Sequence, residues 1–149
     1  MNLINNFMTL TFKALSINES FARTVVSSFA LQLNPTVEDI NDIKTAVSEA
    51  VTNSVVHAYP QEKGDITITC KIIDDVLYVS IKDEGIGIED VEKAKEPFYT
   101  TKADQERSGM GFAVMESFMD GLEVISQDKG VEILMYKKIN QVREEVVGE

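Results

Sequence analysis

Apolar and polar residues alternate one by one along "FMTLTFKAL", with Met8, Leu10, Phe12 and Ala14 on one side, and this two-residue period predicts a strand. The next stretch opens on "SINE", in which Ser16 is followed by Glu19 in the pattern of a capping box. Ser16 as N-cap, with Glu19 reaching back, predicts a helix to about Leu33, and Pro35 then breaks the chain. Thr36 can cap a long second helix, because Ile40, Ile43, Ala46, Val47, Ala50, Val51 and Val55 keep a helical period until Tyr59 and Pro60. Alternation returns in "DITITCKII" and "VLYVSIKD", joined by Asp74 and Asp75, and reads as a hairpin.

A short helix near "EDVEKAK" leads into the polar loop "EPFYTTKADQERSG", then a helix "MGFAVMESFMD" and a second hairpin, "LEVIS" and "VEILMYKKI", turning on "QDKG". That order predicts an α+β fold, a two-layer α/β sandwich with a mixed, mainly antiparallel sheet and helices on one face. No repeat or linker interrupts it, so one domain over 1–149 is expected, with 140–149 as a frayed end.

Composition narrows the function. The 149 residues are 44% hydrophobic and 26% charged, a balance able to close a core. A formal net charge of -11, with 14 scattered basic residues, argues against nucleic acid as the main partner. No apolar run approaches the ~20 residues of a membrane span, and the first residues lack the features of a signal peptide, so no membrane partner and a cytoplasmic location are expected. Cys70 is the single cysteine and reads as a small apolar strand residue.

Three polar segments stand out. In "SEAVTNSVVHAY", Glu49, Asn53 and His57 recur every four residues and form a polar stripe along one side of the second helix. Such a stripe is either a solvated face or a site, since burying these groups without partners is costly. "DEGIGI" places Asp83, Gly85 and Gly87 directly after a strand, which suits a tight turn or a wall against a ligand. "RSGMGF" puts Gly109, Met110 and Gly111 at the start of a predicted helix, where free backbone N–H groups can hold an anion beside Arg107 and Ser108. It is not a Walker-type loop, and an ordinary glycine-containing helix start fits as well. The loop before it, with Thr100, Thr101 and Lys102, has the composition of a lid over phosphates.

Together and in this order, Glu49 to Asn53, Asp83 to Gly87, and Gly109 to Gly111 resemble the ATP-binding (Bergerat) fold shared by histidine kinases, gyrase B, Hsp90 and MutL. Within that superfamily, "SEAVTN", "PFYTTK" and "ERSGMGFAVMESFMD" are similar to the anti-sigma factor serine kinases of sporulating bacteria, and the likeness covers nearly the whole chain. The resemblance implies a protein serine/threonine kinase that uses ATP and Mg²⁺. Asn53 would supply an oxygen to the metal, Asp83 would accept a hydrogen bond from the adenine amino group, and Gly85 and Gly87 would line the base pocket. The glycine run at 109–111 with Met110, together with Thr101, Lys102, Arg107 and Ser108, would hold the phosphates, and Glu49 would be the catalytic base. His57 is expected to support the fold beside the site.

The resemblance further implies a sporulation sigma factor held inactive, an anti-anti-sigma factor phosphorylated on serine, and a homodimer. Glu19 and Arg23, which otherwise read as a surface ion pair, become candidate contacts for both partners. Among the rivals, a sensor histidine kinase needs a phospho-accepting histidine on a separate helix, and a clamp ATPase needs a transducer domain. A binding module would have no need of Glu49. A general-stress anti-sigma B kinase differs only in its partner.

Overall fold

The computed structural model describes residues 5–58, 64–85, 111–126 and 129–139, with backbone alone at 57 and 58. Five strands form one sheet in the order β1-β2-β3-β5-β4, where β1 is Asn6–Lys13, β2 Asp65–Ile73, β3 Val76–Asp83, β4 Gly121–Ser126 and β5 Val131–Lys138. All four pairings are antiparallel, stricter than the mainly antiparallel sheet that the sequence predicts.

Register explains which side is buried. Ile68 stands opposite Ile81, which stands opposite Ile133, and Cys70, Val79 and Met135 form the next row. All six are buried, whereas the rows between them carry Thr67 with Lys82 and Glu132, and Thr69 with Ser80 and Leu134. A period of two thus gives the sheet one apolar face for the helices and one face of mixed polarity. On that second face the Tyr78 and Tyr136 rings lie 6.0 Å apart. The Tyr136 ring also covers Gly121, where a Cβ would stand 2.1 Å from it.

Three helices are described: α1 (Asn18–Ala30), α2 (Val37–Asn53) and α3 (Gly111–Phe118), with α2 packed between the other two. Their buried positions, Ala22, Val26 and Ala30 on α1, Ile43, Ala46, Val47, Ala50 and Val51 on α2, and Phe112 and Met115 on α3, form one core with the sheet. Lys137 of β5 fastens the far edge: its Nζ donates to the Phe118 carbonyl at 3.0 Å and pairs with Asp42 at 3.5 Å.

Two local features depart from the sequence reading. Ser16 does not cap α1: the N-cap is Ile17, with no side-chain hydrogen bond, and the Ser16 carbonyl accepts from Glu19 N–H at 3.1 Å. The Glu19 carboxylate turns instead toward Arg23 and Ser48. The second helix also changes period, since α2 ends at Asn53 and a π-helical turn occupies Ser54–Ala58. The four-residue repeat of the polar stripe therefore stops at Asn53, and the His57 side chain lies outside the described residues. So do the helix expected near 89–95, the loop 96–108 and the tail 140–149.

Thr36 behaves as expected, holding extended backbone and accepting from Asp39 N–H at 3.0 Å. Thr36→Ala should lower unfolding free energy by about 1 kcal/mol, the usual worth of such a cap. Denaturant titration would show it as a lower midpoint at unchanged slope.

Candidate functional site

α2 carries Glu49 and Asn53 one turn apart, both half-buried, beside the fully buried stripe of Ala46, Val47, Ala50 and Val51. The polar pair thus borders the core instead of facing open solvent. Against it stands the first turn of α3. A Cβ at Gly111 would lie 3.0 Å from Asn53 Nδ2 and 3.2 Å from its Oδ1, so the absence of a side chain lets α3 begin against the Asn53 amide. The start of a helix presents unpaired N–H groups and partial positive charge, so a neutral oxygen ligand and an anion-binding terminus share one place.

Asp83 ends β3 and is 4% exposed. Its Oδ1 accepts from Gly85 N–H at 3.1 Å and Val131 N–H at 3.2 Å, and its Oδ2 accepts from Ser54 Oγ at 2.9 Å. Burial pushes the Asp83 carboxyl above its ordinary value of 3.8, and the bonds from Gly85, Ser54 and Val131 oppose that shift. A carboxylate offers about four acceptor positions, so three protein donors leave one, on the Oδ2 side, for a single further N–H. Backbone closeness fixes this corner too. Gly130, at φ +94°, lies so near the end of β3 that a Cβ would stand 2.0 Å from the Asp83 carbonyl oxygen.

A third polar group joins α1 to α2. Arg23 Nη1 donates to Glu19 Oε2 at 2.7 Å and reaches Ser48 Oγ at 3.4 Å, and Ser48 Oγ also donates to Glu19 Oε2. The side chains of Arg23 and Glu19 are 38% and 22% exposed, so the pair is more enclosed than a solvated ion pair.

The structure therefore brings Glu49, Asn53 and Gly111 together, holds Asp83 and Gly85 in one bonded corner, and sets Glu19 and Arg23 on α1. Gly87, Thr101, Lys102, Arg107, Ser108, Gly109 and Met110 lie outside the described residues. Sequence reasoning missed Ser48, Ser54, Gly130 and Val131. Ser54 left one signal, a polar residue inside an apolar run directly after Asn53, and it is 3% exposed. Among the described residues no three His, Cys, Asp or Glu side chains gather as a metal cluster, and no helix is long and apolar enough to cross a membrane.

Residues 12–137 match the family model described as a histidine kinase-like ATPase domain. Two relatives are anti-sigma F factors. The one from Caldanaerobacter subterraneus subsp. tengcongensis is 56% identical over 140 residues, 93% of this chain and 98% of the relative. The one from Clostridium acetobutylicum is 56% identical over 137 residues, 91% of this chain and 96% of the relative. Among solved structures, the RsbU and RsbW domains of Rv1364c from Mycobacterium tuberculosis superpose with a TM-score of 0.68 at 18% identity, over 95% of this chain and 35% of that one. The catalytic domain of the histidine kinase ThkA gives 0.60 at 18% identity, over 90% of this chain and 96% of that one. At such identities the two structures speak for the fold alone.

The buried Asp83 sets a pH dependence. Its folded-state pKa is raised, so between about pH 4 and that raised value the folded state keeps a proton that the unfolded chain has lost. Stability should fall as pH rises through this window, and Asp83→Asn should remove that part of the slope. Chemical denaturation of both proteins from pH 4 upward would check it, and parallel profiles would count against a raised pKa.

Proposed function

The chain belongs to the anti-sigma F factors, within the histidine kinase-like ATPase domains, and from that premise we propose that it holds a sporulation sigma factor inactive while ATP is bound and phosphorylates a serine of an anti-anti-sigma factor. The observation that carries this reading is the contact between Asn53 and Gly111, because it joins the metal-ligand motif to the glycine motif of an ATP site. Identity of 56% to anti-sigma F factors favours the sporulation partner over the general-stress alternative. A partner that works in transcription implies a cytoplasmic protein, and a homodimer is the expected assembly.

The described residues fit ATP and Mg²⁺. Asn53 offers one amide oxygen, which suffices for Mg²⁺, an ion that keeps several waters and takes few protein ligands. The metal, when bound, supplies positive charge to the phosphates. Asp83 has the single acceptor position that an exocyclic amino group needs, while Gly85 lies within the same corner. Family membership assigns Gly87 to the base pocket, and Gly109, Met110, Gly111, Ser108, Arg107, Lys102 and Thr101 to the phosphates.

Glu49 takes the proton from the acceptor serine as its oxygen attacks the γ-phosphorus, so the O–H bond breaks as the O–P bond forms and ADP leaves. Placement of Glu49 one turn before Asn53 supports this role, because proton acceptor and metal ligand then share one rigid element. Glu19 and Arg23 on α1 serve as partner contacts.

Because Glu49 acts on the acceptor and not on the nucleotide, Glu49→Gln should keep ATP affinity while phosphoryl transfer falls at least ~100-fold. Transfer measured with labelled ATP and purified anti-anti-sigma protein would check this, and an equal loss of ATP binding would sink the assignment. The regulatory half has its own measurement. ATP should raise sigma-factor affinity over ADP by a coupling of about 1 to 3 kcal/mol, and sigma factor should tighten ATP by the same factor. Titrating labelled sigma factor with saturating ATP, ADP or neither would reveal it, and three equal affinities would leave the anti-sigma reading without a mechanism.

A further inference from the structure

We propose that Ser48 is a positioning residue through which the Glu19–Arg23 pair on α1 sets the Glu49 carboxylate, so that an acidic group of a docking partner engaging Arg23 changes the rate of phosphoryl transfer and not the affinity for nucleotide. The proposal rests on the reading of Glu49 as the base. Its observation is the cluster itself. Ser48 and Arg23 both donate to Glu19 Oε2, and Arg23 also reaches Ser48, so one carboxylate oxygen gathers both donors.

Where α1 packs along α2 both helices bury small side chains, Ala22, Val26 and Ala30 on one and Ala46, Val47 and Ala50 on the other. Small residues allow close approach but interlock weakly. The cluster supplies the only side-chain hydrogen bonds between the two helices among the described residues, so it decides the angle at which α2 meets α1 near Ser48.

Glu49 is the next residue, about 100° around the same helix. A side-chain head about 6 Å from the helix axis moves roughly 1 Å when the helix turns by about 10°. A 1 Å misplacement can cost a reaction up to about 100-fold. Asn53 is shielded from the same movement because its amide is wedged against Gly111 of α3. Disturbing Ser48 therefore reaches the base while leaving the metal ligand in place.

Charge tells which partner chemistry engages the device. Arg23 is the more exposed member, with Glu19 as its internal counter-ion. An acidic group arriving from outside competes with Glu19 for Arg23 and leaves the Glu19 carboxylate to Ser48 alone. The Ser48 hydroxyl is then the one remaining link between docking face and base.

The test is a double-mutant cycle on phosphoryl transfer from ATP to a purified anti-anti-sigma protein, using wild type, Ser48→Ala, Ser48→Thr, Arg23→Ala and the Ser48→Ala/Arg23→Ala pair. Ser48→Ala should lower kcat roughly 5- to 50-fold with ATP affinity held within about twofold, and Ser48→Thr, which keeps the hydroxyl, should recover most of the loss. Arg23→Ala should raise KM for the protein substrate and lower kcat. In the Ser48→Ala background it should still raise KM but cause no further fall in kcat, because the route to Glu49 is already cut. Unchanged kcat in Ser48→Ala, kcat losses that multiply, or ATP affinity that falls in step with kcat would each overturn the proposal. A wild-type protein that transfers no phosphate overturns the kinase reading and this inference with it, whereas transfer by the wild type with multiplying losses overturns the inference alone.

Discussion

A carboxylate buried at the end of a strand is the constraint around which the site is arranged. Asp83 cannot sit there at 4% exposure without donors, since a buried group with unmet hydrogen-bonding capacity costs on the order of kcal/mol. Its donors come from three separate places in the chain: the turn after α2, the exit of β3 and the start of β5. Satisfying one charge therefore fixes the relative positions of a helix end, a strand end and a hairpin. The same satisfaction leaves one acceptor position, so the folding requirement and the recognition surface are the same atoms.

α2 transmits that order to the rest of the molecule. It lies between α1 and α3, carries Glu49 and Asn53 beside its buried stripe, and meets the first residue of α3 at a distance only glycine allows. A substitution at Gly111 would push on the Asn53 amide directly. The apolar packing below has no such specificity, because Ile43, Val47 and Val51 present ordinary hydrocarbon to the sheet.

Where a single local cause dominates, the sequence was sufficient. Strand alternation gave all five described strands, because their faces differ in polarity and a one-residue slip would expose Ile68, Ile81 and Ile133. Thr36 caps as its residue type requires. Ser16 and Glu19 show the limit of local reasoning: a residue pattern that suits a capping box loses Glu19 to Arg23 and Ser48, partners that only the packed helices bring close. Backbone donors were equally out of reach, because nothing in the letters "QDKGVEI" says that Val131 N–H will meet Asp83. Glu49, Asn53, Asp83 and Gly111 were legible as chemistry, since polar and glycine residues interrupt apolar runs there. Ser48 and Ser54, small and ordinary, were not.

Widening the helix after Asn53 makes chain length, as well as residue type, a determinant of the site. A π-helical turn amounts to one residue more than an α-helix would use over the same rise. Within Ser54–Ala58 that surplus residue changes the angular bookkeeping between Asn53 and everything after it. Removing any one residue of the turn would restore the ordinary period and swing the following segment by about 100° relative to α2. Homologous chains that differ here by a single deletion would then need a different donor for the buried aspartate, whatever residues they keep. Gap placement in this turn is accordingly a structural character that can separate lineages whose motif letters are identical.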